Sequence, residues 1–205
     1  MIRKELLVLP ILANHVILTG YGHWLPNDPR GSGSETVRKE ALRELGEVHH
    51  GRKREQPSRG TLRQFFREAE PLLEHPVLWF DERCRTAIGA GIETVVRGQR
   101  LTMYACAVCA NHAHFLVRRH RLTGDAMGRM IAGTVQAFLK AEGLVAERHP
   151  VWTTDPWVVF KHDVRAVWEA VGYVERNPVK EGLAPQRWGF VTPYDGWPGK
   201  RAMRT

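Results

Sequence analysis

Cysteine is scarce in this chain, with Cys84, Cys106 and Cys109 the only three among 205 residues. Three cannot build a disulfide framework, and a reducing compartment is the expected setting. Long hydrophobic runs are missing as well. Asn14, His15, charged residues and glycines break the longest stretches before they near the roughly 18 residues of a membrane span, so no membrane partner is expected. The short apolar run Leu6 to Leu12 imitates a signal peptide, but no small-residue cleavage site follows before Trp24 and Pro26, which points to a cytoplasmic chain. No internal repeat is present. Acidic residues are outnumbered, 22 against 30 Lys plus Arg, and the formal charge of +8 favours a polyanionic partner over acidic-surface functions.

At 205 residues and 43% hydrophobic, the chain is long enough for one domain with a sizeable core. Apolar and β-branched residues from Val8 to Trp24 predict a first strand, which leaves into a Pro, Asn, Asp and Gly-rich loop at 25–34. Residues 35–76 are dense in charge and poor in apolar residues until Leu62, Phe65 and Phe66, as expected of an insertion with one or two amphipathic helices. Its basic run Arg52-Lys53-Arg54 reads equally as a solvated loop or a DNA contact.

Ile88, Ile92, Val95 and Val96 sit at helical spacing, which predicts a helix over Asp81 to Gln99 despite Gly89 and Gly91. Two strands, Leu101 to Val108 and His112 to Arg119, flank a turn at Cys109-Ala110-Asn111. A helix over Gly124 to Glu142 has Met127, Met130, Ile131, Val135 and Phe138 as its stripe. Val151 to Phe160 reads as a strand interrupted at Pro156, and Asp163 caps a final helix that stops before Pro178. Antiparallel-looking strands with helices on one face make this an α+β protein rather than a doubly wound one.

Three features carry chemistry. In His112-Ala113-His114 a strand projects both imidazoles to the same side, and imidazole is the commonest protein metal ligand. Two unrelated histidines at a strand start are the plain alternative. Tyr173 falls, at ~100° per residue, opposite an apolar stripe of Val164, Val167, Trp168 and Val171, on a face shared with Ala166, Ala170 and Asn177. Glu175 falls back near that stripe, which the wheel does not explain. Arg118, Arg119 and Arg121, just past the histidine strand, suit DNA phosphates near a cut, or are merely solvated. Trp24, Trp152 and Trp157 are core residues or stacking platforms for unpaired bases.

Asn111-His112-Ala113-His114-Phe115-Leu116-Val117 and, further on, Tyr173-Val174-Glu175-Arg176-Asn177-Pro178-Val179-Lys180-Glu181-Gly182-Leu183 together resemble the paired signatures of single-tyrosine HUH transposases, in particular the REP-associated tyrosine transposases. The resemblance extends to Tyr21-Gly22-His23-Trp24-Leu25-Pro26, to Trp152 through Phe160 and to Trp188-Gly189-Phe190-Val191, and covers most of the chain outside the insertion. It departs from the family's usual Met-Pro-Asn-His turn in having Cys109-Ala110-Asn111-His112.

The resemblance implies one domain over 1–205 with a ferredoxin-like sheet presenting the histidines and a helix presenting Tyr173 as nucleophile. It further implies Mg²⁺ or Mn²⁺ on His112 and His114, with Asn177 completing the site, and cleavage of single-stranded or hairpin DNA through a 5′-phosphotyrosine. A nucleoid-associated monomer or homodimer is the matching expectation. A free phenol titrates near ~10 and needs a base or a positive field to attack at neutral pH, and Lys180 is a candidate for that help. A different class of reading is a silent DNA-binding descendant that has lost cleavage. Another is a zinc site on Cys106, Cys109, His112 and His114, of suitable ligand types but with a spacing unlike the usual fingers.

Overall fold

A computed structural model describes residues 10–37, 39–153 and 155–198. The expected strand start at Val8, and the apolar run up to Leu9, lie outside the described residues. Strand β1 (Ala13–Thr19) is followed by α1 (Glu40–Arg43), α2 (Arg59–Ala69) and a 3₁₀ turn at Glu70–Leu72. Then come α3 (Glu82–Gln99), β2 (Met103–Val108), β3 (His112–Arg118), α4 (Gly124–Ala141), β4 (Trp157–Lys161) and α5 (Val164–Lys180). The four strands form one antiparallel sheet in the order β2-β3-β1-β4, a ferredoxin-like arrangement and the α+β class expected. Among the described residues no helix is long and apolar enough to cross a membrane.

The helices do not all lie on one face, as the sequence had suggested. Alternate residues of β1, β2 and β3 feed two separate cores. Val16, Leu18, Met103, Cys106, Ala113, Phe115 and Val117 pack with α3 and α4, whereas Ala13, Ala105, Ala107 and Leu116 pack with α5. The central strands are therefore covered on both sides, and their side chains are nearly all buried. A register shift between Met103 and Ala105 lets Tyr104 and Ala105 both join the α5 side.

Element boundaries differ from expectation where a local rule competed with tertiary structure. The expected strand at 151–160 begins only at Trp157, because Pro156 has no amide hydrogen to donate, and Trp152 makes an isolated bridge to Gly20 instead. Helix α5 runs through Pro178 to Lys180, since a proline in the last turn removes one ladder bond while Glu181 and Leu183 close the end on the carbonyls of Asn177 and Pro178. In α4 the buried stripe takes Leu139 rather than Phe138. In α5 it consists of Val167, Ala170, Val171, Val174, Asn177 and Pro178. Trp168 lies outside it, and Tyr173 flanks the stripe instead of opposing it, each roughly 100–120° from Val174 around the helix. Small Ala170 and polar Asn177 belong to the buried face, which an apolar count alone passes over. With the stripe so rotated, Glu175 is exposed.

The segment expected to be an insertion carries α1 and α2 around a small apolar cluster of its own, Leu25, Val37, Leu42, Phe65 and Ala69. Ser58 caps α2, Asp81 caps α3, Thr123 caps α4 and Asp163 caps α5, each accepting a backbone N–H three residues on.

Two glycines of α3 have opposite roles. A Cβ on Gly89 would meet the ring of Trp188 at 2.1 Å, whereas one on Gly98 would meet open space. Gly89→Ala should therefore lower stability by about 1–3 kcal/mol through overpacking. Gly98→Ala should raise it by about 0.5–1 kcal/mol through helix propensity. Thermal or urea unfolding of the two variants checks the pair.

Candidate functional site

In β3 the two-residue period sends Ala113, Phe115 and Val117 to the α3/α4 core and leaves His112, His114 and Leu116 on the α5 side. The neighbouring β1 has the same period, so Ala13, His15 and Ile17 share that side. The register opposes His15 to Leu116 and Ile17 to His114, which makes His15 and His114 diagonal neighbours. Their rings stack at 5.2 Å between centroids, and His15 Nε2 lies 3.1 Å from His114 Nδ1. His112 stands perpendicular to His114 at 4.5 Å.

Helix α5 brings Tyr173 over this group. Its ring centre is 5.6 Å from that of His114 and 5.8 Å from that of His15, and the residue is 41% exposed, so a solvent-borne chain can reach it. Lys180 Nζ sits 5.4 Å from the Tyr173 ring centre. Asn177, one turn after Tyr173, is buried, and its Nδ2 has no hydrogen-bond partner among the described residues. Glu181, just beyond the helix, places Oε1 at 3.7 Å from His112 Nδ1, while Asn111 Oδ1 lies at 2.6 Å from the same nitrogen.

Burial sets the electrostatics. It lowers His15 to about 4, with the charge of Lys161 adding to the effect. It lowers His114 to about 2, helped by the neighbouring His112 and His15. His112 is lowered as well, by burial against an opposing pull from Glu181. The imidazoles are consequently neutral at pH 7, the form that ligates metals. Cys109, His112 and Glu181 each bring a ligand atom within 4.8 Å of the others, so cation-binding groups converge at this end of the sheet. Burial, with Glu181 nearby, raises the Cys109 thiol to about 12, which disfavours the thiolate a metal would need.

The four-ligand zinc reading fails on strand geometry. Cys106 points into the α3/α4 core, and the histidines face the other side of the sheet. Arg118, Arg119 and Arg121 are also not brought to the site. They lie at and beyond the far end of β3, with Arg118 roughly 20 Å of strand from His112. There Arg118 lies over Trp197 at 3.7 Å and Arg119 at 5.9 Å.

The run Arg52-Lys53-Arg54 is nearer in the fold. Lys53 N–H donates to Arg30 O and Arg30 donates to His23 O, in the loop that leaves β1 at the end paired with His112. Trp24 supports Arg30 at 4.0 Å and Trp152 donates to Ala132 O, so these two are structural, while Trp157 is 44% exposed. His15, Glu181 and the exposed Trp79 packed on His23 escaped the sequence reading. For His15 a signal existed, since it alternates with Ala13 and Ile17 on the face opposite Val16 and Leu18.

No family model matches the chain, and no curated protein matches it. Among solved structures it is similar to one described as the REP-associated tyrosine transposase bound to a REP hairpin. That similarity has 15% identity and a TM-score of 0.43, over 84% of this chain and 70% of that one.

The depressed histidines make a pH prediction. Below pH 6.5 the unfolded chain takes up protons on His15 and His114, whereas the folded chain resists until about 4 and about 2. The unfolded state then binds more protons, so stability falls with falling pH across that window. The melting temperature should drop between pH 6.5 and 4, and His15→Gln should flatten part of the drop. An equal slope in wild type and variant would remove His15 as a cause.

Proposed function

We propose that the chain is a metal-dependent endonuclease and strand transferase for single-stranded DNA, acting on hairpin-flanked strands through a phosphotyrosine on Tyr173. The observation that carries this reading is the meeting of an accessible phenol with two neutral imidazoles on one polar patch of an otherwise apolar sheet face. The site residues of this proposal are Tyr173 as nucleophile, with His112, His114 and Asn177 as ligands.

The donor set suits a divalent ion such as Mg²⁺ or Mn²⁺. Two neutral imidazoles lie side by side, and Asn177, buried one turn after Tyr173, has an amide oxygen that would serve as a third ligand. When bound, such an ion neutralises charge on the scissile phosphate and orients it. The chain's own residues supply the rest. Tyr173 Oη attacks phosphorus in line, the bond to the 3′-oxygen breaks, and the phenol proton leaves while the 3′-oxygen gains one. The product is a 5′-phosphotyrosine with a free 3′-hydroxyl. Lys180, its ammonium near the ring, favours the phenolate as the proton departs. The reverse step, attack of a 3′-hydroxyl on the phosphotyrosine, rejoins ends without a nucleotide cofactor.

Positive charge supports the DNA partner: the chain carries +8, and Arg52, Lys53 and Arg54 belong to the loop system at the histidine end of the sheet. Arg118, Arg119 and Arg121 would serve a more distant stretch of backbone. No part of this chemistry calls for a membrane.

Incubation of the purified protein with labelled single-stranded and hairpin DNA and Mn²⁺ should yield a denaturant-resistant adduct. Tyr173→Phe should reduce it by on the order of a thousandfold or more, the scale on which losing a nucleophile acts, with DNA binding nearly intact. EDTA should stop the reaction and Mg²⁺ or Mn²⁺ restore it, while His112→Ala or His114→Ala stays inactive at saturating metal. Binding without any adduct in the wild type would favour the silent DNA-binding reading instead.

A further inference from the structure

His15 belongs to none of the motifs, yet it makes a hydrogen bond between two buried imidazoles, His15 Nε2 to His114 Nδ1 at 3.1 Å. A neutral imidazole has one N–H donor and one bare nitrogen, so exactly one partner in this pair donates. Were His15 to donate, His114 would carry its proton on Nε2 and neither of its nitrogens could bind a cation. With His114 donating from Nδ1, its Nε2 keeps a free lone pair.

His112 offers an independent clue to which arrangement the fold favours. Its Nδ1 lies 2.6 Å from Asn111 Oδ1, and an amide oxygen only accepts, so His112 carries its proton on Nδ1 and leaves Nε2 bare. Glu181 at 3.7 Å reinforces that choice, because a carboxylate favours a proton on the nitrogen that faces it. The two rings are adjacent, and one cation can use both only if both are bare at a nitrogen that faces it. Each Nδ1 is already occupied by a protein partner, which leaves the two Nε2 atoms.

We propose that His15 is a positioning residue that accepts the Nδ1–H of His114 and so keeps the His114 Nε2 lone pair available to a divalent cation. This inference rests on the reading of His114 as a ligand, and it gives the second imidazole of the diagonal pair a purpose. A residue that binds a ligand histidine through its other ring nitrogen fixes the tautomer and the ring orientation together. His15 is suited to the task because it lies on a central strand, buried and stacked against the ring it holds. Asn111 does the equivalent for His112 from the turn that precedes β3.

The test uses the full chain, labelled with ¹⁵N in histidine and free of metal. Long-range ¹H–¹⁵N spectra report which nitrogen of His114 is protonated, and the electron paramagnetic resonance of free Mn²⁺ reports metal affinity without DNA. In the wild type His114 should be protonated at Nδ1 and bare at Nε2. His15→Phe should shift His114 toward the other tautomer and weaken Mn²⁺ binding about 10–100-fold, the range seen when such partners are removed. His15→Gln, whose amide oxygen can accept the same proton, should restore both readouts, and melting curves show whether each variant is folded. A His114 proton on Nε2 in the wild type would overturn the proposal, as would a folded His15→Phe with unchanged tautomer and affinity. If the wild type bound no Mn²⁺ at all, the proposed function would fall, while the wild-type tautomer would still decide the role of His15.

Discussion

The antiparallel pairing of β1 with β3 is the constraint on which the remaining structure depends, because both strands bury side chains on both faces and each residue's destination is set by parity. Phe115 and Val117 must enter the α3/α4 core, which commits His112 and His114 to the other side. A slip of one residue would drive two imidazoles into apolar packing and bring Phe115 beneath α5, so the register is strongly specified. The same parity carries His15 and Ile17 of β1 to the histidine side, where the twist and diagonal geometry let His15 reach His114.

Helix α5 completes the arrangement by covering that side incompletely. It packs through Val167, Ala170, Val171 and Val174 onto Leu12, Ala105, Ala107 and Leu116, mostly over β2 and β3. The small side chain of Ala170 allows close approach to the sheet. Tyr173 then lies at the border of the packed stripe, half over the histidines and half in solvent. A tyrosine in the middle of the stripe would be sealed from any polymer, and one on the opposite face would be out of reach of the imidazoles. The border position meets both needs, and Asn177 one turn later is drawn under the helix by the same rotation.

Local chemistry at the histidine end of the sheet is dominated by desolvation. His15, His112 and His114 are each kept neutral by burial, the thiol of Cys109 is kept protonated, and the Glu181 carboxylate lies 3.7 Å from His112. Such a patch is poor in charge of its own although the chain as a whole is basic. Its affinity for a cation therefore rests on lone pairs and their orientation more than on net negative charge, which gives tautomer control unusual weight here.

Much of this was legible in residue order. The two strands about the turn in 101–119, helical spacing in 81–99 and 124–142, and the capping residue Asp163 marked the elements, because these patterns are local and need no partner to be recognised. The parity of His112 and His114 followed from the strand period, and the position of Tyr173 and Asn177 one turn apart followed from the helix. What only the tertiary structure decided is everything that depends on which surface meets which. The sequence placed the helices on one face, whereas a sheet apolar on both sides recruits α5 to the second. It counted Trp168 in the core and set Tyr173 opposite, because side-chain apolarity does not reveal that Ala170 and Asn177 will be covered. It associated Arg118 and its neighbours with the histidines by proximity along the chain, although a seven-residue strand separates its two ends. It missed His15, 99 residues from His114, since the strand period gives the face of an imidazole but only the pairing of β1 with β3 sets it beside His114.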